Sequence, residues 1–244
     1  MPNILDKIFL DKREELDTVK RRLPLPDVKV RISRKNYEIR DIRKSLRFGT
    51  RSRIIAEIKP RTPFKGELLK NADPMGIAKT YAENGATALS ILTESNYFGG
   101  SLFSLEKARE HVDIPLLRKD FIFDEYQIYE ARAFGADFFL LIATRLEKNH
   151  LADLLALGNE LDLPALVETH NEQDIEKAFA AGGSILGINN RDLNSGKTDL
   201  DVARRLIPMA LQLPGNLVVC ESGIHSRTEI EEFEKLGAHS FLIG

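Results

Sequence analysis

The sequence predicts an α/β fold, a single (β/α)8 (TIM) barrel over residues 1–244 in which residues 1–50 form an N-terminal helical extension. Three observations predict it. Eight short β-rich runs recur, most of them nearly continuously apolar, as strands covered on both faces are. Helix-like stretches alternate with these runs, and no Pro/Gly/Ser-rich linker divides the chain into halves. A length of 244 residues suits two small domains or one large barrel, so it does not decide. A doubly wound sheet is the structural alternative. It calls for fewer strands and a glycine-rich first turn, which "IIAEIKPRTPFKG" is not.

Taken in order, the extension comes first. Ile4, Leu5, Ile8 and Phe9 fall on one helical face, the pattern of a helix packed on the barrel. The first strand is "IIAEI" from Ile54, and the next helix starts after Asp73, a cap, with Pro74 at the first helical position. "ALSILT" from Ala88 and "IPLL" from Ile114 are strands two and three, followed by the helix "DEYQIYEARAFGA", which stops on Gly135. "FFLLIA" from Phe138 and "PALVE" from Pro164 are strands four and five, and "NEQDIEKAFAAGG" opens a helix at Asn171. "ILGIN" from Ile185 and "NLVVCE" from Asn216 follow, then a helix whose Ser226 and Glu229 make a capping box. "SFLIG" from Ser240 is the eighth strand. Gly85, Gly135, Gly182-Gly183 and Gly237 repeat the same helix stop before a strand.

Composition excludes several classes of function. Charged residues make up 30% of the chain yet nearly balance at a net −2, which gives no general reason to bind nucleic acid or an acidic membrane. A single cysteine, Cys220, rules out an intrachain disulfide framework and a thiolate zinc site. "MPNILDKIFLDKREELDTVKRR" is charged from its first residues and has no signal-peptide core, and "FFLLIA" is far too short to span a bilayer. A soluble cytoplasmic protein is the expectation. His111, His150, His170, His225 and His239 lack metal-ligand spacing and are read as surface or helix-cap groups, so no metal is expected. Cys220, next to Glu221, is read as a small buried group on the helix-facing side.

The ends of the strands carry the charge. Side chains two apart along a strand face the same way, so Glu57 and Lys59 share a face at the end of the first strand. Lys119 ends the third strand, Glu168 the fifth and Glu221 the seventh, while Asn189 and Arg191 follow the sixth. Any one of these is explained as a solvated strand end, because long charged side chains reach water easily. Their coincidence on five strands gathers cations and carboxylates around the C-terminal rim, where barrels of this kind place their active sites. Carboxylates keep a partly desolvated lysine in its ammonium form, and the same carboxylates accept protons when tuned by their neighbours. Such a ring suits proton shuttling on a small anion and is poorly suited to hydride or metal chemistry. Gly223, in "ESGI", and Gly244 lie where the loops after strands seven and eight build phosphate sites.

Together "IIAEIKPRTPFKGEL", "ALSILTESNYFGGSL", "PLLRKDFIFDEYQIYEARAFGADFFLLI", "ALVETHNEQDIEKAF", "GINNRDL" and "ESGIHSR" resemble the indole-3-glycerol phosphate synthase family of tryptophan biosynthesis, in order and over nearly the whole chain. The resemblance implies a cofactor-free lyase. Its substrate would be 1-(2-carboxyphenylamino)-1-deoxyribulose 5-phosphate, and its products indole-3-glycerol phosphate, carbon dioxide and water. It implies that Lys119 is the general acid, and that Lys59, Glu57 and Glu168 orient the carboxylate and move protons. Asn189, Arg191, Glu221 and Ser222 would line the pocket, and Gly223 and Gly244 would hold the phosphate. Phe121 and Leu140 are both candidates to pack on the benzene ring and line the substrate pocket, Phe121 read evenly as core or ring contact and Leu140 more readily as core. The expected partner is this small phosphorylated molecule, with association with other tryptophan-pathway enzymes a further possibility and no nucleic acid or membrane involved.

Two departures from the family pattern stand out. The usual "K-x-x-S-P-S" after the first strand is "KPRTPFKG" here; Thr62 keeps a hydroxyl for the phosphate, while Pro60 and Phe64 alter the loop. The chain also stops at Gly244, where the family continues with a phosphate-binding turn and a last helix. The expectation is a truncated end that leaves apolar barrel wall exposed and weakens phosphate binding. Two other functions remain open on sequence alone. A phosphosugar isomerase would share the barrel and the phosphate site but typically carries paired Asp, or Cys with Asp, at the strand ends. A non-catalytic small-molecule binder, or a partner subunit for a neighbouring enzyme, would not need the charged ring.

Overall fold

In the computed structural model, the described residues are 4–47, 52–63, 66–68, 73–192 and 195–244; Phe64 lies outside them. Eight parallel strands close into a barrel: β1 (Ile54–Ile58), β2 (Ala88–Leu92), β3 (Leu116–Lys119), β4 (Phe138–Ile142), β5 (Ala165–Thr169), β6 (Ile185–Asn189), β7 (Leu217–Glu221) and β8 (Ser240–Ile243). Each pairs with the next, and β8 returns to β1 with Ile55 opposite Leu242.

The strands are apolar on both faces because each face meets a different layer. Phe138, Leu140 and Ile142 of β4 point into the barrel with Ile55, Leu117, Leu166, Ile185 and Val219. Their neighbours Phe139 and Leu141 pack outward against the helices with Val167, Leu186, Val218 and Cys220. Two-residue alternation, carried to the end of each strand, puts Glu57, Lys119, Glu168, Asn189 and Glu221 on the inward face. That parity is what positions the site.

Helices α1 (Ile4–Arg22), α2 (Leu25–Lys35) and α3 (Ile42–Arg47) form the extension. The remaining helices are α4 (Pro74–Glu83), α5 (Leu102–His111), α6 (Glu125–Ala133), α7 (Lys148–Glu160), α8 (Glu172–Ala180), α9 (Asp201–Gln212) and α10 (Arg227–Leu236). Their starts follow the expected caps. Asp73 accepts from Met75 N, Asn171 from Asp174 N, and Ser226 and Glu229 close a reciprocal box. Gly237 ends α10 at φ 105°, a conformation a side chain would resist.

Three features of the extension and loops were not foreseen. Among its described residues the extension holds three helices where one was expected. The loop after β1 carries a two-residue antiparallel pairing of Arg61–Thr62 with Gly66–Glu67, and a single 3-10 turn, Ala143–Arg145, follows β4. The two ends of the extension serve opposite ends of the barrel. α1 lies across the C-terminal rim, with Asp6 on Arg145 at 2.7 Å, Lys12 on Asp120 at 3.2 Å and the Phe9 ring edge-on to Phe121. α3 inserts Ile42 and Leu46, both fully buried, into the inner core, and its Arg43 and Arg47 bond to Ser184 and Gly215 ahead of β6 and β7.

Between α4 and α10 the outer wall of β1 and β8 lines an open groove of about 850 Å³, with Ile54, Ala56, Tyr81, Ile230 and Ile243 among its walls. Among the described residues no helix is long and apolar enough to cross a membrane.

Candidate active site at the barrel mouth

Lys119 is the centre of the inward-facing charges. Its Nζ lies 3.4 Å from Glu168 Oε2 and 3.6 Å from Glu221 Oε2, so residues from the third, fifth and seventh strands meet at one point. Glu57 adds its field from β1 and is ion-paired with Lys59. Asn189 hydrogen-bonds Glu168 and accepts from Arg191 N at 3.0 Å, which leaves its amide NH2 as the group facing the carboxylate. All three carboxylates are buried, Glu168 and Glu221 almost completely.

Burial and neighbours drive these groups apart. For Lys119, burial works against the ammonium, but the carboxylates of Glu168, Glu221 and Glu57 outweigh it and hold its pKa above the ordinary value. For Glu168, burial favours the acid form, yet Lys119, His170 and the Asn189 amide prevail and hold it below the usual carboxylate range. Glu221 goes the other way. Burial dominates, Lys119 only partly compensates, and the nearby charges of Glu168 and Glu57 add to the push, up to about 8. Among the described residues, neither carboxylate oxygen of Glu221 has a hydrogen-bond partner. An ammonium, a carboxylate and a neutral carboxyl thus stand side by side, which is the arrangement acid–base chemistry needs at neutral pH.

Several neighbours shape this cluster. Gly187 on β6 faces Glu221, and a Cβ there would collide with Glu221 Oε1, so the absent side chain is the slot the carboxyl occupies. After β7 the backbone turns through Ser222 at φ 65° and Gly223 at φ 76°. A non-glycine residue in this region is uncommon and marks a constrained turn. Asn190 holds it, donating to the carbonyls of Glu221 at 3.1 Å and Ser222 at 3.0 Å.

The other residues singled out in the sequence fall as follows. Gly244, at the end of β8, abuts Glu57, with a built Cβ 2.9 Å from Glu57 Oε1. Gly223 packs against Thr198 and Leu200 of the loop after β6. Arg191 donates to Gly196 O at 2.7 Å within that same loop. Thr62 sits in the short hairpin after β1, half-buried and opposite Gly66. Leu140 is core, buried in the barrel interior below the charges. Phe121 is half-buried, with its ring 5.5 Å from Phe9 of α1 and 5.9 Å from Phe98, so it forms an aromatic wall rather than part of the barrel core. Cys220 is buried on the helix side, as read from sequence, and burial pushes its thiol up to about 12.

Sequence reasoning missed three groups. His170, read as a surface or cap residue, brings Nε2 to 3.4 Å from Glu168 Oε1. Thr144 and Asp174 stand behind it. The same two-residue parity that linked Glu57 with Lys59 links Glu168 with His170, one residue past the end of β5, and was the available signal.

Comparison with known proteins agrees with this geometry. A family model described as indole-3-glycerol phosphate synthase matches residues 5–244. Proteins of that name from Campylobacter jejuni subsp. jejuni and from Roseiflexus sp. are each 43% identical, over 243 residues (99% of this chain and 93% of the relative) and 251 residues (100% and 93%). One from Dehalococcoides mccartyi is 43% identical over 244 residues, covering 99% of this chain and 93% of the relative. Among solved structures, the N-acetylmannosamine-6-phosphate 2-epimerase from Clostridium perfringens superposes with a TM-score of 0.63 at 13% identity, covering 85% of this chain and 91% of that one, a likeness of fold alone. The barrel mouth, the family match over residues 5–244 and relatives of this closeness lead to one conclusion: the chain belongs to the indole-3-glycerol phosphate synthase family.

Proposed function

We propose that the rim cluster closes the indole ring of 1-(2-carboxyphenylamino)-1-deoxyribulose 5-phosphate, with Lys119 as the general acid. The aromatic carbon bearing the carboxylate attacks the ribulose carbonyl while Lys119 Nζ delivers a proton to the carbonyl oxygen. The carbon–carboxylate bond then breaks, releasing carbon dioxide and returning its electron pair to the ring. In the last step the new hydroxyl leaves as water and a base takes a proton, giving indole-3-glycerol phosphate. Glu168, held as a carboxylate, is that base. Lys59, placed by Glu57, faces the substrate carboxylate and donates to the departing hydroxyl. Glu221, largely neutral, hydrogen-bonds the substrate hydroxyls, and Asn189, Arg191 and Ser222 line the pocket beside it. Gly223, Gly244 and Thr62 hold the phosphate, while Phe121 stacks near the benzene ring. No cofactor takes part in any step. We place the enzyme in the cytoplasm, acting on a small phosphorylated substrate and free to associate with other enzymes of its pathway.

The observation that carries this reading is the pair of contacts from Lys119 Nζ to Glu168 and Glu221 in a buried mouth. An ammonium kept charged by carboxylates in place of water is ready to protonate an oxygen that becomes alkoxide-like. Lys119→Ala tests it. Turnover, followed by indole absorbance, should fall by ~10²–10⁴, the usual contribution of a positioned acid, with folding and binding of a substrate analogue retained. Unchanged turnover would rule Lys119 out as the acid.

A further inference from the structure

We propose that His170, Thr144 and Asp174 form a proton wire behind Glu168, with His170 as a positioning residue that shares a proton with that carboxylate and carries protons away from it. The inference rests on Glu168 acting as the base.

The two oxygens of Glu168 have different partners. Oε2 faces Lys119 at 3.4 Å, and Oε1 faces His170 Nε2 at the same distance from the other side. Beyond His170, its Nδ1 lies 3.3 Å from Thr144 Oγ1, and Thr144 Oγ1 lies 3.1 Å from Asp174 Oδ2. Asp174 is held in place, since the same Oδ2 accepts from His170 N at 3.2 Å and Oδ1 faces Lys177 at 3.6 Å.

The direction of these bonds fixes the tautomer. Thr144 has one hydroxyl hydrogen, and a carboxylate can only accept, so that hydrogen goes to Asp174. Thr144 Oγ1 then has only lone pairs for His170, and Nδ1 must be the N–H. A neutral imidazole so held turns a bare Nε2 lone pair toward Glu168 Oε1, acceptor against acceptor. Among the described residues the buried Nε2 indeed has no hydrogen-bond partner of its own. The gap between Nε2 and Oε1 is therefore open to one proton. When Glu168 takes a proton from the substrate, Oε1 can pass one to Nε2, the Nδ1 hydrogen moves to Thr144 Oγ1, and the Thr144 hydrogen moves to Asp174. Every hop transfers one proton along an existing contact, and Glu168 is again a carboxylate.

The charged groups that face the imidazole are Glu168 from β5 and Asp174 from α8; Arg145, next to Thr144, is turned to Asp6 of α1. The helix start does not depend on the ring, because Asn171 caps α8 and the bond to Asp174 comes from the His170 backbone. Ring variants should therefore fold.

The test compares His170→Gln, His170→Ala and Thr144→Val with Glu168→Gln, using thermal melts to confirm folding. In His170→Gln, kcat should fall about tenfold to a hundredfold, at or below what a direct acid or base contributes, with KM unchanged. The acidic limb of its pH–rate profile should move to higher pH, because Glu168 loses a neighbour that favours its carboxylate form. Thr144→Val should shift both in the same sense but less, and free imidazole should partly restore His170→Ala. Wild-type kcat and profile in His170→Gln, with Glu168→Gln inactive, would overturn the wire alone. A fall in kcat with no change in profile and no rescue by imidazole would reduce His170 to packing and overturn it equally. Full activity in Glu168→Gln would instead remove Glu168 as the base, and the wire with it.

Discussion

Arg118, Lys119 and Asp120 are consecutive, yet their side chains enter two charge clusters built on opposite terms. Arg118 and Asp120 lie behind the barrel wall under α1, where Arg118 reaches Asp120 at 3.1 Å, Glu130 at 2.8 Å and Gln127 O at 2.6 Å. Asp120 also takes Lys12 at 3.2 Å, Thr93 at 2.7 Å and its neighbour Phe121 N at 2.9 Å. Burial pushes Asp120 up, but Lys12 and Arg118 prevail and bring it down to about 2. Lys119 faces the other way, into a cluster where, among the described residues, both oxygens of Glu221 go without a hydrogen-bond partner and Glu221 is raised to about 8. Among the described residues the first cluster has a partner for each of its charges, and its Asp120 stays a carboxylate across physiological pH. The second is left short of donors, and a substrate can supply them. A closed network fixes structure; an open one of the same residue types can do chemistry.

Breaking the closed network should give the largest effect on stability. Arg118→Met fills a similar volume but leaves Glu130 buried without its cation and removes one of the two cations from Asp120. The loss of one partner from a buried ion pair costs about 3–5 kcal/mol, which chemical denaturation should read directly. The remaining folded enzyme should keep the wild-type pH–rate profile, because Lys119, Glu168 and Glu221 lie on the other face. A stability within error of wild type would show that the network is not structural, and a shifted profile would show that the two clusters are not separate.

The barrel was legible because burial on both faces leaves a strong mark, eight apolar runs with glycine stops between them. The ring was legible through parity: inward positions of these strands stay apolar until the last one, and that one becomes Glu57, Lys119, Glu168 or Glu221. His170 was overlooked because it stands past the end of β5, where strand alternation is no longer enforced by pairing. The hairpin after β1 was invisible, since two-residue strands carry no periodicity. Phe121 could not be placed, as its ring is fixed by Phe9, which is 112 positions earlier by the residue numbers and is brought there only by the docking of α1. Lys12 is the same case: one lysine among many on a charged helix, distinguished only by the buried Asp120 it meets.

Opening the comparison from the other side gives a smaller change and a cleaner sign. Glu221 has an ordinary pKa of 4.5 and is raised to about 8 in the folded protein, so the native state holds a proton the unfolded chain has released between those values. A raised acid of this kind supports folding fully below about 4.5, and that support drains away as pH rises through 8. Glu221→Gln keeps the size and a neutral donor while removing the ionisation. Its melting temperature should match the wild type near pH 5 and exceed it increasingly toward pH 9, whereas Arg118→Met is less stable at every pH between. Turnover of Glu221→Gln should fall modestly and depend less on pH at the alkaline end, because a neutral group at this position no longer titrates. A stability gap that narrows toward pH 9 would mean that Glu221 is ionised throughout and paired with Lys119 like any other salt bridge. The open cluster would then be as closed as the one behind it.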